Sequence, residues 1–200
     1  MNKLEPFSQL NLFGLDKYFL ELIRLYENDS FPNKLLLNGP KGIGKSTLAY
    51  HFINYVLSKN EDYRYNLKNF EINSDSPTFK TILNKSNTNL ITVDINGDKK
   101  FIDIDQIRNL INSLNKSSFN NKPRFVLIDN IELLNINSIN ALLKVLEEPN
   151  KNIYFILINN NRRILSTLLS RCIDFKINLS NKECFDISEK LLNNSIKNII

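Results

Sequence analysis

The chain has 200 residues, 42% of them hydrophobic and 24% charged, with a formal net charge of +5, the balance of an ordinary globular domain with enough apolar material for a core. Its longest apolar run, Ile153–Ile158, falls far short of the about 18 residues a membrane span requires. The first residues hold no apolar secretion core, and two cysteines, Cys172 and Cys184, cannot build a disulfide framework, so a cytoplasmic protein is expected.

Leu15 to Asn28 is predicted as a helix, with Leu15, Phe19, Leu22, Ile23 and Tyr26 on one face, broken by Phe31-Pro32. Lys34–Asn38 is a short apolar run followed at once by glycines and by a helical pattern from Gly44 to about Leu57. That is strand, tight loop, helix. Residues 59–89 are polar and asparagine-rich, and read as a surface excursion with one helix around Thr78–Asn84. Leu90–Ile95 reads as a strand closed by a turn at Asn96-Gly97-Asp98. Asp103 is placed to cap a helix bearing Ile104, Ile107, Leu110, Ile111 and Leu114, and Asn120–Pro123 is a loop.

Phe125–Asp129 is an apolar strand ending in a carboxylate. Asn137–Glu148 follows as a helix, with Ile139, Leu142, Leu143 and Leu146 inward and Pro149 as its stop. Ile153–Ile158 is a fully apolar strand, Ile164–Leu169 a short helix, Cys172–Ile177 a fifth strand, and Lys182–Ile200 helical. Five strands alternating with helices predict an α/β fold, a five-stranded parallel sheet with helices on both faces. Ligands of such sheets sit at the carboxyl ends of the strands.

The charge assigns no partner by itself. Beside 33 Asn and 19 Lys stand 7 Arg and 2 Ala, the pattern of AT-biased coding on solvated faces. Lys99-Lys100 and Arg162-Arg163 are only pairs, without interleaved aromatics.

Gly39-Pro40-Lys41-Gly42-Ile43-Gly44-Lys45-Ser46, with Thr47 next, matches the phosphate-loop pattern in full, between a strand and a helix. The glycines let backbone amides turn around a phosphate, and the helix that follows adds its positive N-terminal end. Lys45 would meet the β- and γ-phosphates of ATP, and Ser46 would offer its hydroxyl to Mg²⁺. Asp129 is the natural second acidic partner for that Mg²⁺; the plainer reading is a strand-end turn cap. The next position is Asn130, and an amide cannot accept a proton from an attacking water. Glu132 could serve as a base only if it reached back from beyond the strand end.

Two further stretches carry a resemblance. Ser138-Ile139-Asn140-Ala141-Leu142-Leu143-Lys144-Val145-Leu146-Glu147-Glu148-Pro149 and Ser170-Arg171-Cys172 are similar to the signature helix and Ser-Arg-Cys motif of bacterial DNA polymerase III clamp-loader subunits. Gly39–Tyr50 and Ile104-Asp105-Gln106-Ile107-Arg108 resemble the delta-prime branch in particular. The resemblance covers roughly residues 8–180 and implies an AAA+ nucleotide-binding core over 1–179 with the start of a helical lid over 180–200; the rest of the lid and the collar domain that the family carries are expected to be missing. It implies that Arg171 reaches in trans toward ATP on a neighbouring subunit, and that Asn159 or Asn160 is the polar sensor after the fourth strand. It implies assembly with gamma/tau and delta subunits, and through them action on the sliding clamp and primed DNA.

Asn130, where motor subunits carry Glu, fits a weakly hydrolysing or non-hydrolysing delta-prime stator. An active gamma/tau-like ATPase is the alternative. A P-loop kinase for a small molecule would need an Arg-rich lid, for which only Arg162 and Arg163 are at hand. Residues 47–128 contain no cysteine, so the zinc module of many relatives is not expected. His51, the single histidine, is expected to pack rather than to catalyse.

Overall fold

The continuous apolar runs become the central strands of a parallel sheet. In the computed structural model, which describes residues 5–95, 99–115, 120–147 and 152–197 (the last five as backbone), these are β1 (Lys34–Asn38), β2 (Leu90–Val93), β3 (Arg124–Ile128), β4 (Ile153–Asn159) and β5 (Ile173–Lys176). Their order is β2-β3-β4-β1-β5, and every pairing is parallel. The helices are α1 (Asp16–Glu27), α2 (Lys45–Leu57), α3 (Pro77–Leu83), α4 (Ile104–Leu114), α5 (Ile136–Glu147), α6 (Ser166–Leu169) and α7 (Asn181–Lys197). The expected turn at Asn96-Gly97-Asp98 and the stop at Glu148-Pro149 lie outside the described residues. Among the described residues no helix is long and apolar enough to cross a membrane.

Two compact units divide the chain. The sheet unit comprises Pro32–Lys41 and Asn84–Lys176. The two-residue period of the strands sends Leu36, Val126, Ile128, Phe155 and Leu157 into one core with Ile107, Leu110 and Leu114 of α4 and Leu142 and Leu146 of α5. Each such aliphatic side chain contributes about 1.5–3 kcal/mol on burial. The alternate strand residues Leu35, Leu37, Phe125, Leu127, Ile156 and Ile158 are just as buried, as expected of strands covered on both sides. The edge strand β5 differs, with Ile173 60% exposed.

Asp103 caps α4 through a complete capping box: its carboxylate accepts from the Gln106 N–H, and the Gln106 side chain accepts from the Asp103 N–H. Strand β2 stops two residues before the expected end. The Asp94 carboxylate takes the Ile95 N–H at 2.7 Å and the Asp94 carbonyl takes Gln106 Nε2, also at 2.7 Å, so local side-chain bonds replace the ladder.

The helical unit comprises Met1–Phe31, Gly42–Leu83 and Ile177–Ile200. Fully buried Phe19 meets His51, Tyr55, Tyr65 and Phe70, and Phe31 stacks on Phe52 at 4.7 Å. Residues 59–89 are more than a surface excursion, because Tyr65, Ile72, Phe79 and Ile82 are buried. The Glu61 carboxylate accepts from the hydroxyls of Ser76 and Thr78 and from the Thr78 N–H at the start of α3. His51 lies in the core, its Nε2 donating to the Gln9 carbonyl at 3.2 Å and its Nδ1 facing the Tyr65 hydroxyl at 2.8 Å. It packs, as expected. Ser180 and Glu183 cap α7 reciprocally, and Lys17 pairs with Glu183 at 3.2 Å. Gly14, at φ +68°, has no room for a side chain, since a Cβ there would lie 2.3 Å from Cδ1 of Ile187.

Candidate functional site

Parallel pairing brings the carboxyl ends of β1, β3 and β4 to one edge of the sheet. Asn38 stands opposite Asn159 and Ile128 opposite Leu157, so Gly39, Asp129 and Asn160 follow on the same side. The Gly39 N–H donates to the Asn159 carbonyl at 3.3 Å. Asn159 is only 2% exposed, and its amide nitrogen donates to Asn38 Oδ1 at 3.1 Å and to the Arg162 carbonyl at 2.9 Å. It fastens β1 to the turn after β4.

Asn160 has other partners. Its Nδ2 donates to Asn130 Oδ1 at 2.8 Å and to Glu132 Oε1 at 2.9 Å, and its N–H reaches Glu132 Oε2 at 3.3 Å. Of the two sensor candidates, Asn159 is thus committed to holding the strands, while Asn160 faces Asn130 and Glu132.

Asp129 lies directly after β3. Its N–H still donates to the Val93 carbonyl at 2.9 Å, and its Oδ1 accepts the N–H of Asn130 at 2.8 Å. Asn130 takes the left-handed conformation, φ +54° and ψ +47°, which asparagine tolerates better than most residues. Its Nδ2 donates to Asp94 Oδ1 at 2.8 Å. Glu132 lies beyond the strand end, on the 3₁₀ turn Ile131–Leu133, with its carboxylate engaged by Asn160.

From β1 the chain runs through Gly39, Pro40, Lys41, Gly42 and Ile43 to Gly44, the residue before α2. Gly42 and Gly44 have φ +86° and +91°, values that only glycine adopts without strain, and a Cβ on Gly44 would approach Leu15 Cδ1 at 3.0 Å. Lys45, the first residue of α2, is 3% exposed, while Ser46 and Thr47 are half-buried. A glycine turn, a lysine and two hydroxyls at the start of a 13-residue helix form a donor set that suits a polyphosphate and its Mg²⁺.

Arg171 sits on the turn after α6. One guanidinium nitrogen donates to the Thr167 carbonyl at 2.8 Å and the other to Glu147 Oε1 at 2.6 Å. Its neighbour Cys172 is half-buried, and burial pushes its thiol up to about 11, so it packs rather than reacts. Ser138 of the signature helix is fully buried, its hydroxyl donating to the Ile102 carbonyl at 3.0 Å. Asp94 and Glu147, the partners of Asn130 and Arg171, are functional neighbours that the sequence did not reveal. Asp94 is 36 positions from Asn130 and carries no local signal. Glu147 lies within the signature-helix motif, whose sequence does not show what its carboxylate meets.

The family model described as "DNA polymerase III, delta subunit" matches residues 15–181. DNA polymerase III subunit gamma of Buchnera aphidicola subsp. Acyrthosiphon pisum is 33% identical over 152 residues, 74% of this chain and 39% of that protein. Subunit delta' of Buchnera aphidicola subsp. Schizaphis graminum is 28% identical over 171 residues, 82% of this chain and 48% of that one. The chain therefore spans less than half the length of these curated relatives. Among solved structures, the Thermotoga maritima RuvB Holliday junction branch migration motor aligns with TM-score 0.52 at 19% identity, over 92% of this chain and 53% of that one, a likeness of fold.

Proposed function

Because the chain belongs to the DNA polymerase III clamp-loader family of delta-prime and gamma subunits, with an AAA+ fold, we propose that it is a delta-prime-type subunit. In this reading it binds ATP without efficient hydrolysis and completes a neighbour's site during sliding-clamp loading in DNA replication. Gly39–Thr47 would cradle the polyphosphate, Ser46 and Asp129 would hold Mg²⁺ directly or through water, and Asn160 rather than Asn159 would sense the nucleotide. Arg171, permanently charged and forked, would stabilise charge on the phosphoryl group transferred in the adjoining subunit. The partners would be the gamma/tau and delta subunits, and through them the clamp and primed DNA.

One observation carries the choice of delta-prime over motor: the residue after Asp129 is Asn130, whose amide is bound to Asp94 and Asn160 and cannot act as a base. The identity with gamma subunits keeps an active motor as the second reading, with Glu132 as its base. Reconstitution with gamma/tau and delta decides between them. The purified chain should turn over no ATP. Arg171→Ala should lower turnover at the one site it serves by on the order of 10³-fold, read as the loss of that site's share of the loader's ATPase. Turnover by the chain alone, abolished by Lys45→Ala and Glu132→Gln, would establish the motor; failure to join the loader would remove both.

A further inference from the structure

Asn130 joins two carboxylates through amides. On one side its Nδ2 donates to Asp94 Oδ1 at 2.8 Å; on the other its Oδ1 accepts from Asn160 Nδ2 at 2.8 Å, and Asn160 in turn donates to Glu132 at 2.9 Å. Along the bonds, from the end of β2 to those of β3 and β4 and back to the turn after β3, the order is carboxylate, amide, amide, carboxylate. Each bond has one possible direction, because an ionised carboxylate only accepts and an amide does both. Hydrogen bonds with a charged partner are the stronger kind, and this chain of bonds is anchored by one at each end.

The backbone agrees with the side chain. Asn130 holds φ +54° as the residue before the 3₁₀ turn, whose Leu133 N–H closes on the Asn130 carbonyl at 2.8 Å. A carboxylate at 130 would keep a partner in Asn160 but would meet Asp94 with no proton to offer.

We propose that Asn130 is a positioning residue and that Asp94 is its matched partner: the two positions accept one amide and one carboxylate, and the amide on 130 aims Asn160. Asn130 is then more than the loss of a catalytic Glu, since a carboxylate placed there is refused while position 94 stays charged. The inference rests on the reading above only in taking Asn160 as the nucleotide-facing residue.

The test uses the full chain in four forms: wild type, Asp94→Asn, Asn130→Asp, and the exchange Asp94→Asn/Asn130→Asp. The exchange restores both cross-strand bonds, because Asn at 94 donates to one oxygen of Asp at 130 while Asn160 donates to the other, at the expense of the Ile95 N–H that the same oxygen of Asp94 accepts in the wild type. Thermal melts should show Asn130→Asp lowered by about 4 °C, Asp94→Asn by about 1 °C, and the exchange regaining at least about half of the loss. An exchange that melts no higher than Asn130→Asp overturns the pairing, and so does an Asn130→Asp that melts with the wild type. If Asn130→Asp fails to fold, recovery of soluble folded protein in the exchange supports the pairing, and its failure overturns it.

Binding of ATP carrying a fluorescent ribose tag provides the readout that loss of stability alone would not move. Below the melting range, Asn130→Asp should weaken binding by about threefold and the exchange should restore it. An unchanged Kd overturns the positioning role. If the wild type binds no ATP, the nucleotide reading falls while the melts still decide the pair.

Discussion

At His51 the chemistry of a side chain is set wholly by where it lies. With no exposed surface the imidazole is held neutral: burial pushes its pKa from 6.5 down to about 3, outweighing the Gln9 carbonyl at Nε2, which favours the charged form. The unfolded chain therefore takes up this proton before the folded one does. The contribution is complete above about pH 6.5 and drains away as the pH falls toward 3, at up to about 1.4 kcal/mol per pH unit. Urea unfolding of wild type and His51→Gln between pH 7 and 4 should give curves that converge as the medium becomes acid. A constant gap across that range would mean that the histidine has the same pKa folded and unfolded. Its packing role was legible in the sequence, because a single histidine beyond the phosphate loop on its helix, with no nucleophile or metal-ligand motif to join, has little else to do. Its partners Tyr65 and Gln9 were not, since both come from irregular segments without periodicity.

Helix ends were among the most readable features at the level of elements, because a cap is a local bond with a fixed spacing. Asp103 was legible as a start signal, and with Gln106 it forms both bonds of the box. The start of α5 is held in a similar way by Asn135, whose side chain accepts from the Ser138 N–H at 2.8 Å and shares the single Ser138 hydroxyl proton, at 3.0 Å, with the Ile102 carbonyl. Asn135→Ala should cost about 1–2 kcal/mol and Asn135→Asp nearly nothing, measured as the shift in urea midpoint at constant m. Equal losses for the two would assign the effect to something other than the cap. Strand ends were harder to read. Ile95 is as apolar as Val93, yet β2 stops at Val93 because Asp94 diverts the neighbouring backbone and side-chain bonds. Leu90–Ile95 alone gives no hint of that competition. The one-turn helix Ser166–Leu169 was predicted two residues too long for a related reason: a single turn has no period to count.

For the whole molecule, a five-stranded parallel sheet and the residues at its carboxyl ends were foreseeable from apolar runs that stop at Asn38, Asp129 and Ile158, whereas the order of the strands was not. The cross-strand bonds that separate Asn159 from Asn160 were not, because they depend on register. The lack of cysteine over 47–128 gives a prediction at this scale: excess zinc chelator should leave the melting temperature unchanged, and a fall of several degrees would reveal a structural metal. The scarcity of glycine has a wider effect. With five glycines in 200 residues, three asparagines, Asn130, Asn152 and Asn161, take positive φ in turns of the sheet unit. Asparagine is among the few other residues that tolerate this. A composition rich in asparagine thus places asparagines at turns where glycine is the usual choice. At Asn130 the side chain also brings an amide that glycine lacks, so the residue that makes the turn is also part of the wiring between strands.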